Sequence, residues 1–182
     1  GSDGFELAES QYQAAANQPG GSVAPWYGLI ALHAQHDLEP ELSWWNEIKT
    51  HLRAHPVSAQ TINALYSMVL ACQRVPHYID PEQVKNIINV ALESSPKNTK
   101  ILTIKADFLI NIEKDYDSAE RILLHAAKLR PNDPSVLRNL LRFQLSRDQL
   151  DQARETLETI RTNDPLYPYD PALQSINETI NE

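Results

Sequence analysis

The chain has 182 residues, 42% of them hydrophobic, and a formal net charge of −8, so it can bury a sizeable core as one extended domain. That acidity excludes broad attraction to nucleic acid or anionic membrane, and no apolar run approaches the roughly 18 residues of a membrane span. The excess charge is concentrated at the front, because residues 1–73 carry seven acids against Lys49 and Arg53, whereas residues 74–182 carry 17 acids and 14 bases.

Gly1-Ser2 reads as the remnant of a cleaved tag, with residues 3–182 forming a single domain, and the lack of a leader describes this chain alone. Apolar positions spaced by three and four predict a first helix over residues 5–17, with Ala8, Tyr12 and Ala15 on one face and Gln18-Pro19-Gly20-Gly21 ending it. That trio has the spacing of the second helix of a hairpin, so the chain is expected to start within an array. A hairpin follows over residues 24–55. Trp26, Leu29, Ile30 and His33 mark its first helix, residues 36–40 its turn, and Trp44, Ile48 and Leu52 its second helix. Ser58 is a predicted N-cap for the next helix, which carries Ile62, Leu65, Tyr66, Val69 and Leu70. Val75-Pro76-His77-Tyr78-Ile79-Asp80 makes a longer turn, after which Asp80 can cap and Pro81 can open a helix over residues 81–94.

The clearest periodicity lies farther on. Tyr116, Ala119, Leu123, Ala126 and Pro131 recur 34 residues later as Leu150, Ala153, Leu157, Ile160 and Pro165. A period of about 34 is the mark of stacked helical hairpins. Alanines at such positions let helices approach to about 8–10 Å, with Leu123 and Leu157 filling the gaps. A last helix over residues 171–181 presents Leu173, Ile176 and Ile180 on one side and Gln174, Asn177 and Glu178 on the other, as an end cap requires. The 12 prolines fall mostly between these segments, where they end or begin helices.

These units resemble tetratricopeptide repeats. Asp115-Tyr116-Asp117-Ser118-Ala119-Glu120 matches that family's turn between helices, and residues 126–131 match its ending. The chain departs where Asp107 and Leu141 replace the usual glycine and Gln144 the usual tyrosine. The resemblance implies an all-α, right-handed solenoid of about four antiparallel hairpins, with irregular units over residues 3–95, regular ones over 97–165 and a capping helix over 170–182. It also implies a non-catalytic module for a protein or peptide partner, with no cofactor. A second resemblance rests on Pro25-Trp26-Tyr27, on the Pro56-Val57-Ser58-Ala59-Gln60-Thr61-Ile62-Asn63-Ala64-Leu65 segment and on Cys72 before a long turn. These residues look like the soluble C-terminal repeat domains of polytopic bacterial glycosyltransferases and glycan polymerases or ligases, and imply chemistry elsewhere in a membrane-bound parent.

Few residues point to chemistry. Cys72 is alone, so no internal disulfide forms, and its apolar neighbours predict a buried thiol. His33, His36, His51 and His55 have the spacings of helical metal ligands, yet a hairpin turning near Leu38 sets His33 beside Trp44 and separates the pairs by about 10 Å, so solvent-exposed or capping roles are expected. Trp26 and Trp44 are expected to pack between helices, while Trp45 and Tyr27 are the best exposed aromatic contacts, because adjacent helical residues diverge by about 100°. Arg138 and Arg142 share a helical face and, with Lys105, could hold an acidic peptide end in a groove. Neither a phosphate loop, a nucleophile elbow, a His-Glu zinc helix nor a paired-cysteine motif occurs. Asn177-Glu178-Thr179 fits a glycosylation sequon of the kind that arises by chance.

Overall fold

The computed structural model describes residues 2–18, 22–75 and 77–181, so the Pro19-Gly20-Gly21 breaker and Pro76 lie outside the described residues. The fold is all-α. The helices are α1 (Ser2–Ala16), α2 (Ala24–Gln35), α3 (Leu42–Ala54), α4 (Ala59–Arg74), α5 (Pro81–Ser94), α6 (Thr99–Phe108), α7 (Tyr116–Leu129), α8 (Pro134–Ser146), α9 (Leu150–Asn163) and α10 (Pro171–Asn181). A π-helical turn, Leu109–Glu113, continues α6, a 3₁₀ turn, Tyr167–Tyr169, precedes α10, and no strand occurs among the described residues. Contacts divide the chain into two compact units, Gly1–Lys114 and Asp115–Glu182.

Short polar side chains set the helix starts. Ser58 Oγ accepts from the Thr61 amide at 3.1 Å, Asp80 from Glu82 at 2.9 Å, and Asn98 from Lys100 at 3.1 Å. In the second unit Asp115, Asp133 and Asp170 accept from Ser118, Ser135 and Ala172 at 3.0–3.1 Å. Each such cap satisfies an amide that the helix leaves unpaired and contributes about 1 kcal/mol. Pro81 and Pro134 stand within the first turn, where a missing N–H costs nothing.

In the first unit α2, α4 and α6 lie side by side, α3 packs on α5, and the hairpin contacts α2 with α3 and α4 with α5 join these two layers; α1 packs on α2. One core of Leu29, Ile30, Trp44, Ile48, Leu65, Met68, Ile87, Ile101 and Phe108 runs between them. The inserted turn before α5 is pinned to it. Ile79 is fully buried, and the Cys72 Sγ–H donates to the Ile79 carbonyl at 3.5 Å.

In the second unit α8 packs between α7 and α9, and α10 covers α9. Leu137, Leu141, Ala153, Leu157, Ile160, Leu173 and Ile180 form its core. Ala119, Ala126 and Ala153, the small residues of the repeat, are all without exposed surface. On α10 Leu173 and Ile180 are buried and Glu178 is exposed, as an end cap requires.

The first helices of the two regular repeats differ by one residue. The N-caps Asn98 and Asp133 are 35 apart, whereas Lys114 and Asp148, which reverse the chain with φ of 59° and 55°, are 34 apart. The π-helical turn takes up the extra residue. Within α6 the correspondence to α8 is therefore 35, matching Leu102 with Leu137 and Phe108 with Phe143. Ala106, fully buried, corresponds to Leu141; the assignment of that position to half-buried Asp107 is corrected by one residue.

Candidate functional site

An apolar concavity of the first unit lies between α2 and α4, a groove of about 370 Å³. Tyr27, Ala31, Ala34 and Gln35 form one wall, Ser67, Leu70, Ala71 and Arg74 the other. The wall residues of α2 recur at spacings of three and four, so they share one face, and small side chains there keep the floor open. At one end burial pushes the Tyr27 phenol up from its ordinary value, with Ser67 and the Arg74 charge acting against the rise. Arg74 is exposed and makes no ion pair among the described residues. Beyond Tyr27 a second depression, toward α1, is lined by Tyr12, Ala15, Gly28 and Ala31. A Cβ at Gly28 would lie 2.4 Å from the Tyr12 ring, so a larger residue there would have to displace that side chain.

The aromatic expectation divides. Tyr27 is half-buried and lines both depressions, but Trp45 is only 3% exposed, alongside Trp44 at 4%. Neighbours 100° apart can both be buried because α3 contacts α2 on one side and α5 on the other. Trp26 is partly buried against the same core.

The basic clamp is not assembled as expected. The Arg138 guanidinium donates to Asp164 Oδ2 at 2.8 Å and lies 3.0 Å from Asp170 Oδ2. Asp164 is buried and also accepts from the Leu166 amide at 2.9 Å, while Asp170 caps α10. Arg138 therefore ties α8 to the segment entering α10, and the carboxylates it holds are internal. Arg142, one turn on, donates to Asn139 Oδ1 at 2.9 Å on the exposed face. Lys105 belongs to the first unit and donates to Asn89 Oδ1 on α5 at 3.0 Å. Sequence spacing held no sign of Asp164, 26 residues away.

The histidines separate into two pairs. His33 Nε2 lies 2.9 Å from Glu9 Oε1, and its ring stands edge-on to Trp44 at 4.6 Å, the neighbour that the hairpin predicts. Phe5 touches both His33 and His36, at 5.4 and 4.9 Å between ring centres. The His33 side chain is only 12% exposed, so the expectation of a solvent-exposed ring is corrected: α1 covers it. His51 and His55 stack at 4.3 Å, and burial first, then the His55 charge, lowers the His51 pKa. Among the described residues no three His, Cys, Asp or Glu side chains converge on a metal-sized space. Burial pushes the Cys72 thiol up to about 11, which makes it a poor nucleophile near neutrality.

Residues 111–176 match the family model described as a tetratricopeptide repeat. A comparison with curated proteins finds no match. Among solved structures, a mutant of MamA aligns at a TM-score of 0.46 and 15% identity, covering 90% of both chains. MamA MSR-1 aligns at 0.47 and 16%, covering 90% of this chain and 93% of that one. With the paired 34-residue spacing and fully buried alanines of α7 and α9, the match identifies residues 111–176 as tetratricopeptide-repeat sequence.

Proposed function

We propose that this chain is a non-catalytic protein-interaction module whose α2–α4 groove holds an extended segment of a partner protein. The observation that carries the reading is the apolar groove itself, lined by Ala31, Ala34, Leu70 and Ala71 and ended by Tyr27 and Arg74. An apolar side chain of the partner sits over the alanines, and a carboxylate meets the Arg74 guanidinium. The test is a peptide library screened by fluorescence anisotropy against the protein and its Ala31→Phe variant. Peptides that combine an apolar residue with a nearby Asp or Glu are expected to bind. The Phe ring should fill the groove and weaken them about tenfold or more, with the circular dichroism unchanged. Equal affinity for the variant would remove the groove reading.

A second reading attaches the module to a membrane glycosyltransferase or glycan polymerase, where it assists assembly or substrate handling. It rests on the resemblance carried by residues 25–27 and 56–65. No helix of the described residues is long and apolar enough to cross a membrane. Several long apolar segments in the reading frame ahead of Asp3 would support this version, and a short polar frame would end it.

A further inference from the structure

A second concave surface lies away from the α2–α4 groove, at the turn edge of the first unit. The α2–α3 turn and the inserted turn before α5 meet there around a pocket of about 440 Å³, whose lining includes Leu42, Trp45 and Tyr78 together with the polar Glu39, His77 and Asp80. Its apolar surface is unusually open, with Leu42 61% exposed and Leu38, beside it, 44% exposed. The walls are fixed. Ile79 is buried in the core beneath, and Asp80 is held as the α5 cap. A rigid wall matters because little ordering entropy is then lost when a ligand enters.

The charge around this pocket has one sign. Residues 36–48 and 77–83 contribute Asp37, Glu39, Glu41, Glu47, Asp80 and Glu82, and no Lys or Arg. Nearby bases are already engaged, since Lys49 donates to Gln83 Oε1 at 3.3 Å and Lys85 pairs with Glu113 at 2.7 Å. Glu82 shares Lys85 at 3.9 Å, but the remaining carboxylates leave an acidic excess around a pocket of mixed polarity, which repels acidic segments and favours an apolar residue flanked by a base.

We propose that this turn-edge pocket docks a basic linear segment of a partner protein, with a Leu- or Phe-sized side chain against Leu42 and Tyr78 and an adjacent Lys or Arg at Glu39. The segment is opposite in charge to the one assigned to the α2–α4 groove, so a single partner could not exchange the two sites.

The probes are fluorescein-labelled synthetic peptides containing one Arg-Leu or Lys-Phe pair, each compared with versions carrying Gln for the base or Ser for the apolar residue. Anisotropy titrations use the intact chain, Leu42→Asn, Glu39→Gln and Ala31→Phe. Leu42 and Glu39 are exposed, so neither variant disturbs the core, and circular dichroism checks this. Binding should need both members of the pair, weaken about tenfold in Leu42→Asn and severalfold in Glu39→Gln, and fall at about 0.5 M salt. It should persist in Ala31→Phe, which separates failure here from failure of the groove. The proposal is overturned if no paired peptide binds, if the Gln version binds equally well, or if Leu42→Asn leaves the affinity unchanged, the last meaning diffuse attraction of a base to an acidic chain.

Discussion

Replacing Arg138 by Ala should destabilise the chain substantially, although the residue is partly exposed. Its guanidinium is 2.8 Å from Asp164 Oδ2 and 3.0 Å from Asp170 Oδ2, and the Asp164 side chain is only 4% exposed. Without Arg138 the Asp164 carboxylate keeps the Leu166 amide as a donor but loses its charge partner. Breaking a fully buried pair costs about 3–5 kcal/mol. Because the Arg138 side chain is itself 39% exposed, water can reach part of the vacated space, and a cost of about 2–3 kcal/mol is expected. For a chain of this length that corresponds to about 5–10 °C in Tm. The assay is urea unfolding of the single variant, of Asp164→Asn and of the double variant, followed by circular dichroism. The double variant should cost less than the sum of the singles, because the second change removes a charge already orphaned by the first. A loss below about 0.5 kcal/mol for Arg138→Ala, or strict additivity, would refute the assignment of Arg138 as an internal tie.

Ala119→Leu and Ala153→Leu should each cost about 1–3 kcal/mol, since both positions have no exposed surface and extra methylenes must displace neighbouring helices; chemical denaturation measures it, and a neutral result would mean the register is wrong. Lys114→Gly should raise stability by about 0.5–1 kcal/mol, visible as a small rise in Tm, because a φ of 59° strains a side-chain-bearing residue and suits glycine. His51 has a lowered pKa in the folded chain, so the unfolded chain binds the proton more tightly. Its contribution to stability is present above the ordinary histidine value and is lost as the pH falls through the depressed one. His51→Gln should accordingly flatten the fall in Tm between about pH 7 and pH 5, and an unchanged slope would contradict the burial of that ring.

Much of the helical layout was legible because it rests on local rules. Ser58 and Asp80 cap where short polar side chains precede apolar periodicity, and the paired alanines of α7 and α9 mark close helix crossings. The one-residue offset in α6 was not legible. A π-helical turn leaves the apolar pattern nearly intact, and only the differing spacing from N-cap to left-handed turn reveals it. Trp45 was misplaced for a related reason, since helical angle alone does not say that α3 has neighbours on two sides. Tyr27 was expected as an exposed aromatic contact and lies half-buried on the groove wall. The groove's other walls were not legible, because Ala31, Ala34 and Ala71 draw attention in a sequence only when a second helix is known to face them.

The proposed site of recognition is the groove between α2 and α4. Amide chemical shifts of the ¹⁵N-labelled chain, recorded while titrating an apolar-acidic peptide selected from the library, test that most directly. The largest changes should fall on Tyr27, Ala31, Gln35, Ser67, Ala71 and Arg74. Changes confined to the exposed faces of α3 and α5, with those six amides unmoved, would contradict it.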